Sequence, residues 1–464
     1  MSTMPQHDYD LIVIGAGSGG VRAARLAAKT GAKVAIIEQV QVGGTCVLRG
    51  CVPKKLLVYA SEYSQAFKDA KGFGWTVDWA RFDWATLRDA VQNDVNRLSG
   101  LYLENLTAAG VELFEDRAVL TDPHTVRLTR EGRYLSGDRI LIATGGHTHR
   151  PEEIPGQELG ITSTDAFTLN ELPSRIVIAG GGYIALEFAT IFSGLGVETS
   201  VVYRGARVLR GFDHDIRAHV QADLQRTGVN IICGSTIEAL APLPNNRKLV
   251  TLSNSMRIEA DEVLWAVGRT PNTMGMGLEA AGVRLTERGA VAVDEYSRSS
   301  VPHISAVGDV TDRVNLTPVA IREAMAYVAT EFQNQPTAFD HADIASAVFS
   351  RPPVGSVGLT EERARVLGHK IKVFRSSFRP MKHILAGNEA RTLMKMIVDQ
   401  KTDQVLGIHI AGPESPEIIQ VAAVAVKAKL TKAQWDATCA VHPTTAEELV
   451  LMGEPVSHDN EAPA

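Results

Sequence analysis

Tyr9-Asp10-Leu11-Ile12-Val13-Ile14-Gly15-Ala16-Gly17-Ser18-Gly19-Gly20 is the stretch whose reading decides the fold. A short apolar run ends in Gly15-x-Gly17-x-x-Gly20, and a helical pattern follows. Lys33-Val34-Ala35-Ile36-Ile37 then reads as a second buried strand, closed by Glu38. Each part has a use in a Rossmann unit: Gly15 for the tight turn, Gly17 for the approach of a pyrophosphate, Gly20 for close packing of helix on strand. Glu38 is placed to accept hydrogen bonds from an adenosine ribose. An ordinary strand–helix turn explains the glycines alone, whereas strand, helix, strand and acid together favour the dinucleotide unit.

The same grammar returns at Arg175-Ile176-Val177-Ile178-Ala179, followed by Gly180-x-Gly182-x-x-Ala185, a helix through Leu195 and a strand over 198–203. Here the second strand ends in Arg204, with Arg207 and Arg210 close behind, instead of an acid. A ribose 2′-phosphate needs cations at that place and an acid would repel it, so this second unit reads as an NADP site. A further strand leads to Gly308-Asp309, where an acid can hold sugar-like hydroxyls. Thr317 then reads as the N-cap and Pro318 as the first residue of a helix whose positive end faces outward.

Around these units the chain has 464 residues, which at about 150 residues per domain suggests about three domains. Hydrophobic residues at 45% and charged residues at 22% mark a folded globular chain, not a fibrous or disordered one. The net charge of −6 repels nucleic acid and anionic membrane. No apolar run reaches the roughly 18 residues of a membrane span. The acidic, polar first ten residues lack the features of a signal peptide, which gives cytoplasmic location as the expectation, and 454–464 reads as a loose tail. Four cysteines are too few for a secreted disulfide framework.

Two of those cysteines stand in Gly43-Gly44-Thr45-Cys46-Val47-Leu48-Arg49-Gly50-Cys51-Val52-Pro53-Lys54-Lys55. Zinc would need further ligands, and Cys233 and Cys439 are isolated. Inert buried thiols are the other alternative. Arg49 and two lysines lower thiol pKa, and the glycines permit a bond between the sulfurs, so a redox disulfide is favoured. A dinucleotide at residues 15–38 must bring its reactive ring near this pair, and NADP already has a site. A ring that accepts a hydride and passes two electrons to a disulfide is a flavin, so the first unit reads as an FAD site. His442 is explained by a Thr444-x-x-Glu447 capping box, yet beside a dithiol an imidazole is also the group that moves the exchange proton.

From Asp10 to about Met452 these motifs resemble the class I pyridine-nucleotide disulfide oxidoreductases, and within them the glutathione reductases. The features that carry the likeness are the cysteine segment, Arg204 and Arg210, Val307-Gly308-Asp309, and His442-Pro-Thr-Thr-Ala-Glu447-Glu. The resemblance implies an α/β fold with two Rossmann-like dinucleotide-binding domains and a C-terminal α+β interface domain. Its boundaries would be 1–150 (FAD), 151–272 (NADPH), 273–338 (a central domain completing the FAD site) and 339–464 (interface). It implies FAD at Gly15, Gly17, Ser18, Gly20, Glu38, Thr45, Cys46, Lys54, Thr144, Gly145, Asp309 and Thr317. NADPH falls at Gly180, Gly182, Tyr183, Ile184, Glu187, Arg204, Arg210 and Gly268.

It further implies a homodimer in which His442, paired with Glu447, completes the partner subunit's site. Cys51 lies on the flavin side, Cys46 exchanges with substrate, Tyr183 is a gate, and Lys54 pairs with Glu187. Glutathione disulfide, rich in carboxylates, would be met by Ser18, Arg22, Arg25 and Tyr102. Two departures stand out: Met325 replaces a substrate-side arginine of many glutathione reductases, and Leu48-Arg49 is similar to the plant and cyanobacterial branch. Arg22 is the expected source of the missing charge. The rivals are dihydrolipoamide dehydrogenase, which would carry an acid at Arg204, and the thioredoxin and mercuric reductases, which add cysteines near the C-terminus. From another class, a non-catalytic flavoprotein would show no thiol titration.

Overall fold

The computed structural model describes residues 7–456, so most of the expected polar tail lies outside the described residues. Its residues group into two compact units, one of residues up to 54, 86–149 and 268–341, the other of 55–85, 150–267 and 342 onward.

The first unit is built on a seven-stranded sheet. Its path runs Glu112–Phe114, Val34–Ile37, Tyr9–Ile14, Tyr134–Ile142, Thr125–Leu128, Ala118–Leu120, and Ile304–Ala306 pairs with Tyr134–Ile142. Tyr9–Ile14 is central and parallel to both neighbours, with Ile12 opposite Ala35 and Ile140. Alternation sends Ile12 and Ile14 into one core and Leu11 and Val13 into another. A strand with apolar layers on both faces has to be apolar at every such position. Each fully buried aliphatic side chain contributes on the order of 1.5–3 kcal/mol.

Helix Ser18–Ala28 lies on one face through Val21, Ala23, Ala24 and Ala27. A Cβ at Gly20 would stand 2.0 Å from the Gly15 carbonyl oxygen, so only glycine admits this approach of helix to turn.

The second unit holds a five-stranded parallel sheet in the order Asn230–Cys233, Glu198–Tyr203, Arg175–Ala179, Glu262–Trp265, Ile161–Thr162. Helix Tyr183–Gly194 follows its central strand and ends at the Leu195 cap. A three-stranded antiparallel sheet, Ile237–Pro242, Lys248–Leu252 and Arg257–Ala260, shares a core with the parallel one. The C-terminal part of this unit is an antiparallel sheet in the order Ser346–Val348, Val354–Gly358, Val405–Ala411, Thr392–Asp399, Ile371–Phe378, packed by helix Ser415–Lys427 through Ile419, Ala422 and Val426. The two glycine-turn sheets and the α+β C-terminal region are the expected α/β architecture. No helix among the described residues is long and apolar enough to cross a membrane.

Candidate active site

In the first unit the cysteine segment is tied to the glycine turn. Gly43 N donates to the Ala16 carbonyl at 2.9 Å, and Ala16 N donates to Glu38 Oε2 at 2.9 Å. Gly44 has φ of +62°, and a Cβ there would stand 2.5 Å from Gly17 Cα. Glycine against glycine lets the short helix Gly44–Arg49, which carries Thr45 and Cys46, lie directly on the dinucleotide turn. Helix Cys51–Ala70 begins at the second cysteine and carries Lys54 in its first turn.

Both cysteines are free thiols within hydrogen-bonding reach of one another. The bond between them splits their proton affinities. Cys51 is pushed down to about 6 by the hydrogen bond from Cys46, aided by Thr317 and by the Lys54 charge, against the cost of burial. The same bond, then burial and the Cys51 charge, push the Cys46 thiol up. The pair therefore favours ionisation at Cys51, with the proton kept on Cys46.

Thr317 corrects the sequence reading. The cap of helix Thr317–Phe332 is Leu316, and Thr317 is the first helical residue, with no side-chain capping bond. Its hydroxyl instead lies 3.7 Å from Cys51 Sγ. A one-residue shift at a helix start is easily hidden when Thr and Pro stand side by side.

The residues expected to hold a dinucleotide suit one. Gly17 caps helix Ser18–Ala28 without a side-chain bond and no acid stands in the first turn, so the amide N–H groups remain available to a pyrophosphate. Thr144 Oγ1 donates to the Asn272 carbonyl at 2.8 Å and Asn272 N to the Gly145 carbonyl at 2.9 Å, which fixes that turn. Burial pushes the Asp309 carboxyl up, against the pull of Arg269 3.7 Å away.

Sequence reasoning missed Arg269, which also donates to Thr45 Oγ1 at 3.4 Å and to the Gly146 carbonyl. Its one signal was its place directly after Gly268, whose carbonyl accepts from His149 N in this same unit. Glu323 was missed as well. It is 1% exposed and accepts from Gly308 N at 2.7 Å, Arg313 at 2.9 Å and His341 at 2.7 Å, holding the turn before Asp309.

Tyr102, Arg22, Arg25 and Cys46 come together. Burial pushes the Tyr102 phenol up, while Arg22 and Arg25 pull it down. Arg25 Nε is buried with no hydrogen-bond partner among the described residues. Ser18 opens the helix that carries both arginines.

In the second unit Gly182 caps helix Tyr183–Gly194, again with no side-chain bond and no acid in the first turn. Leu209 N donates to the Gly181 carbonyl at 2.7 Å, and so draws the arginine loop onto the Gly180 turn. Arg204 and Arg210 are exposed and make no hydrogen bond or ion pair among the described residues, whereas Arg207 is held by His214 at 2.6 Å. Tyr183 is 43% exposed at the helix head, with Ile184 beside it half-buried. Buried Glu187 accepts from Phe349 N at 3.0 Å.

Farther along, Thr444 and Glu447 form the capping box. His442 Nδ1 donates to Glu447 Oε2 at 3.0 Å, which leaves the lone pair on Nε2 of an imidazole that is 79% exposed. Among the described residues no group of three or more His, Cys, Asp or Glu side chains could hold a metal ion.

Comparison with known proteins agrees with this geometry. Residues 9–324 match the family model for pyridine nucleotide-disulphide oxidoreductase, and residues 344–452 match the dimerisation domain of the same family. The chain is 48% identical to a glutathione reductase of Burkholderia cepacia over 97% of this chain and 99% of the relative. It is 48% identical to a glutathione reductase of Nostoc sp. over 96% and 99% respectively. A trypanothione reductase of Trypanosoma congolense is 38% identical over 96% of each chain. With a thiol pair set on one glycine turn, arginines beside another, and matches over most of its length, the chain belongs to the pyridine nucleotide-disulphide oxidoreductase family.

Proposed function

We propose that this chain is an FAD-dependent enzyme of the cytoplasm that reduces glutathione disulfide to two glutathione molecules with NADPH, working as a homodimer. The observation that carries the reading is the thiol pair Cys46 and Cys51, set beside Thr317 and held on the turn of a dinucleotide unit, with ionisation favoured at Cys51. Supporting it are the exposed arginines of the second turn, the glutathione reductases among its relatives and the matched dimerisation domain. A cysteine content too low for a disulfide framework suits a reducing compartment.

FAD, when bound, supplies a carrier that takes a hydride from NADPH and returns an electron pair to a disulfide. Gly15, Gly17, Ser18, Gly20, Glu38, Thr45, Thr144, Gly145, Asp309 and Thr317 would hold it. Arg204 and Arg210 grip the 2′-phosphate of NADPH, Gly180, Gly182, Ile184, Glu187 and Gly268 form its bed, and Tyr183 is displaced when it docks. Lys54 and the start of helix Thr317–Phe332 offset negative charge beside Cys51.

Because the shared proton rests on Cys46, attack by Cys46 needs a base, which the partner subunit's His442 provides, oriented by Glu447. The Cys46 thiolate bonds to one substrate sulfur and expels the other, which takes its proton from the imidazole. The Cys51 thiolate then attacks Cys46, expelling the second glutathione and restoring the Cys46–Cys51 bond. Arg22, Arg25, Tyr102 and Ser18 receive the substrate, the two guanidinium charges complementing its carboxylates. The domain limits 1–150, 151–272, 273–338 and 339–464 belong to the same proposal.

Initial rates with glutathione disulfide, lipoamide and thioredoxin, each with NADPH and with NADH, test it. The highest kcat/KM belongs to NADPH with glutathione disulfide, and a preference for NADH with lipoamide overturns the reading.

A further inference from the structure

The strand Thr392–Asp399 is buried at every position and carries a lysine at its middle. Lys395 is 1% exposed. A buried ammonium is costly unless its donors are all met by charge, and here they are. Nζ donates to Asp213 Oδ1 at 2.9 Å, to Asp215 Oδ2 at 2.9 Å and to Glu361 Oε2 at 2.6 Å. The three carboxylates raise the proton affinity of the lysine, and Lys395 in turn holds Asp215 and Glu361 below the usual carboxylate range. Arg375 adds a second cation on Asp215 at 3.2 Å.

Such clusters add little net stability compared with apolar packing, so their use lies in fixing one arrangement. What this one fixes is the end of the arginine loop. Asp213 follows Arg210 by three residues and is the N-cap of helix His214–Arg226, accepting from Asp215 N at 3.1 Å. Its other oxygen accepts from Glu361 N at 3.1 Å. Upstream, Arg217 donates to the carbonyls of Arg207 and Val208 at 2.6 and 2.8 Å, and Leu209 N is bound to Gly181. The loop is thus pinned at its middle by its own helix and glycine turn. Its end, nearest Arg210, is pinned by a charge from the C-terminal sheet.

We propose that Lys395 is a positioning residue for coenzyme selectivity: through Asp213 it holds Arg210 where the 2′-phosphate of NADPH is received. This rests on the reading of Arg204 and Arg210 as the phosphate site. The Lys395 ammonium is spent on three carboxylates, so its removal acts through the loop end that Asp213 anchors. NADH, which has no 2′-phosphate, does not use the placement.

The test is steady-state kcat and KM for NADPH and for NADH, at saturating glutathione disulfide, in the holoenzyme and three variants. These are Lys395→Met, Asp213→Asn, and the two combined. Asparagine caps a helix as well as aspartate does, so Asp213→Asn removes the charge and keeps the cap. The combined variant leaves no ammonium–carboxylate pair half made at Asp213 and carries the test if Lys395→Met does not fold. In each variant that folds, KM for NADPH rises about tenfold, as for the loss of one charge-assisted contact, while kcat and the NADH constants stay within about twofold.

An equal fall with both coenzymes, or an unchanged KM for NADPH in the combined variant, overturns the proposal. A wild-type enzyme without preference for NADPH overturns the phosphate-site reading itself, and the proposal with it.

Discussion

One proton shared by two sulfurs assigns their work. Because Cys51 holds the charge and Cys46 the proton, a thiolate signal in the ultraviolet should appear as the reduced protein is raised through about pH 6. Below that pH Cys51 is protonated and the signal is absent. Cys51→Ser removes this step and returns Cys46 to ionisation nearer an ordinary thiol, since its charged neighbour is gone; a step that survives the change contradicts the assignment. Arg22→Ala tests the substrate side, with an expected rise of about tenfold in KM for glutathione disulfide and little change in kcat. An unchanged KM would leave the charge missing at Met325 without a replacement. The cysteine spacing, the arginines after Tyr203 and Glu38 were all legible, because each is a local pattern. The partition of the proton was not, since it depends on the bond between the two sulfurs in the folded chain, with Thr317, 266 residues from Cys51, also within reach. Arg269 and Glu323 were hidden for the same reason: one looks like a surface arginine, the other like any helical glutamate.

Elements place these residues through close backbone contact. Gly44→Ala puts a Cβ 2.5 Å from Gly17 Cα at a positive φ, a clash with main chain that no side-chain rotation relieves. A loss of about 2 kcal/mol or more in folding stability is expected, with weaker flavin retention. Thermal unfolding and the flavin content of purified protein measure both, and a variant as stable and as yellow as wild type contradicts the packing argument. Both glycine turns could be read because strand, turn and helix are adjacent in sequence. Helix starts were less legible. At Thr317-Pro318 the cap is Leu316, which has no capping side chain, so the helix starts one residue before the place that the side chains suggest.

At the scale of the molecule, the proposal requires two subunits for one site. On dilution, turnover of glutathione disulfide per subunit should fall together with the fraction of dimer measured by sedimentation. Activity that persists in the monomer contradicts the role given to the partner subunit's His442. The sequence announced an α/β chain with two nucleotide sheets and a C-terminal α+β region, because glycine turns and strand periodicity repeat. It did not announce that residues 55–85 pack with the second unit, or that a lysine buried in the last sheet holds the arginine loop. Pairings of that range leave no periodic trace. In the proposed reaction electrons from NADPH arrive at one sulfur pair. Adding one equivalent of NADPH per subunit to the oxidised holoenzyme, followed by thiol labelling and peptide mass mapping, should reveal two new thiols, at Cys46 and Cys51. No gain in thiols, or a gain at Cys233 or Cys439 instead, would contradict it.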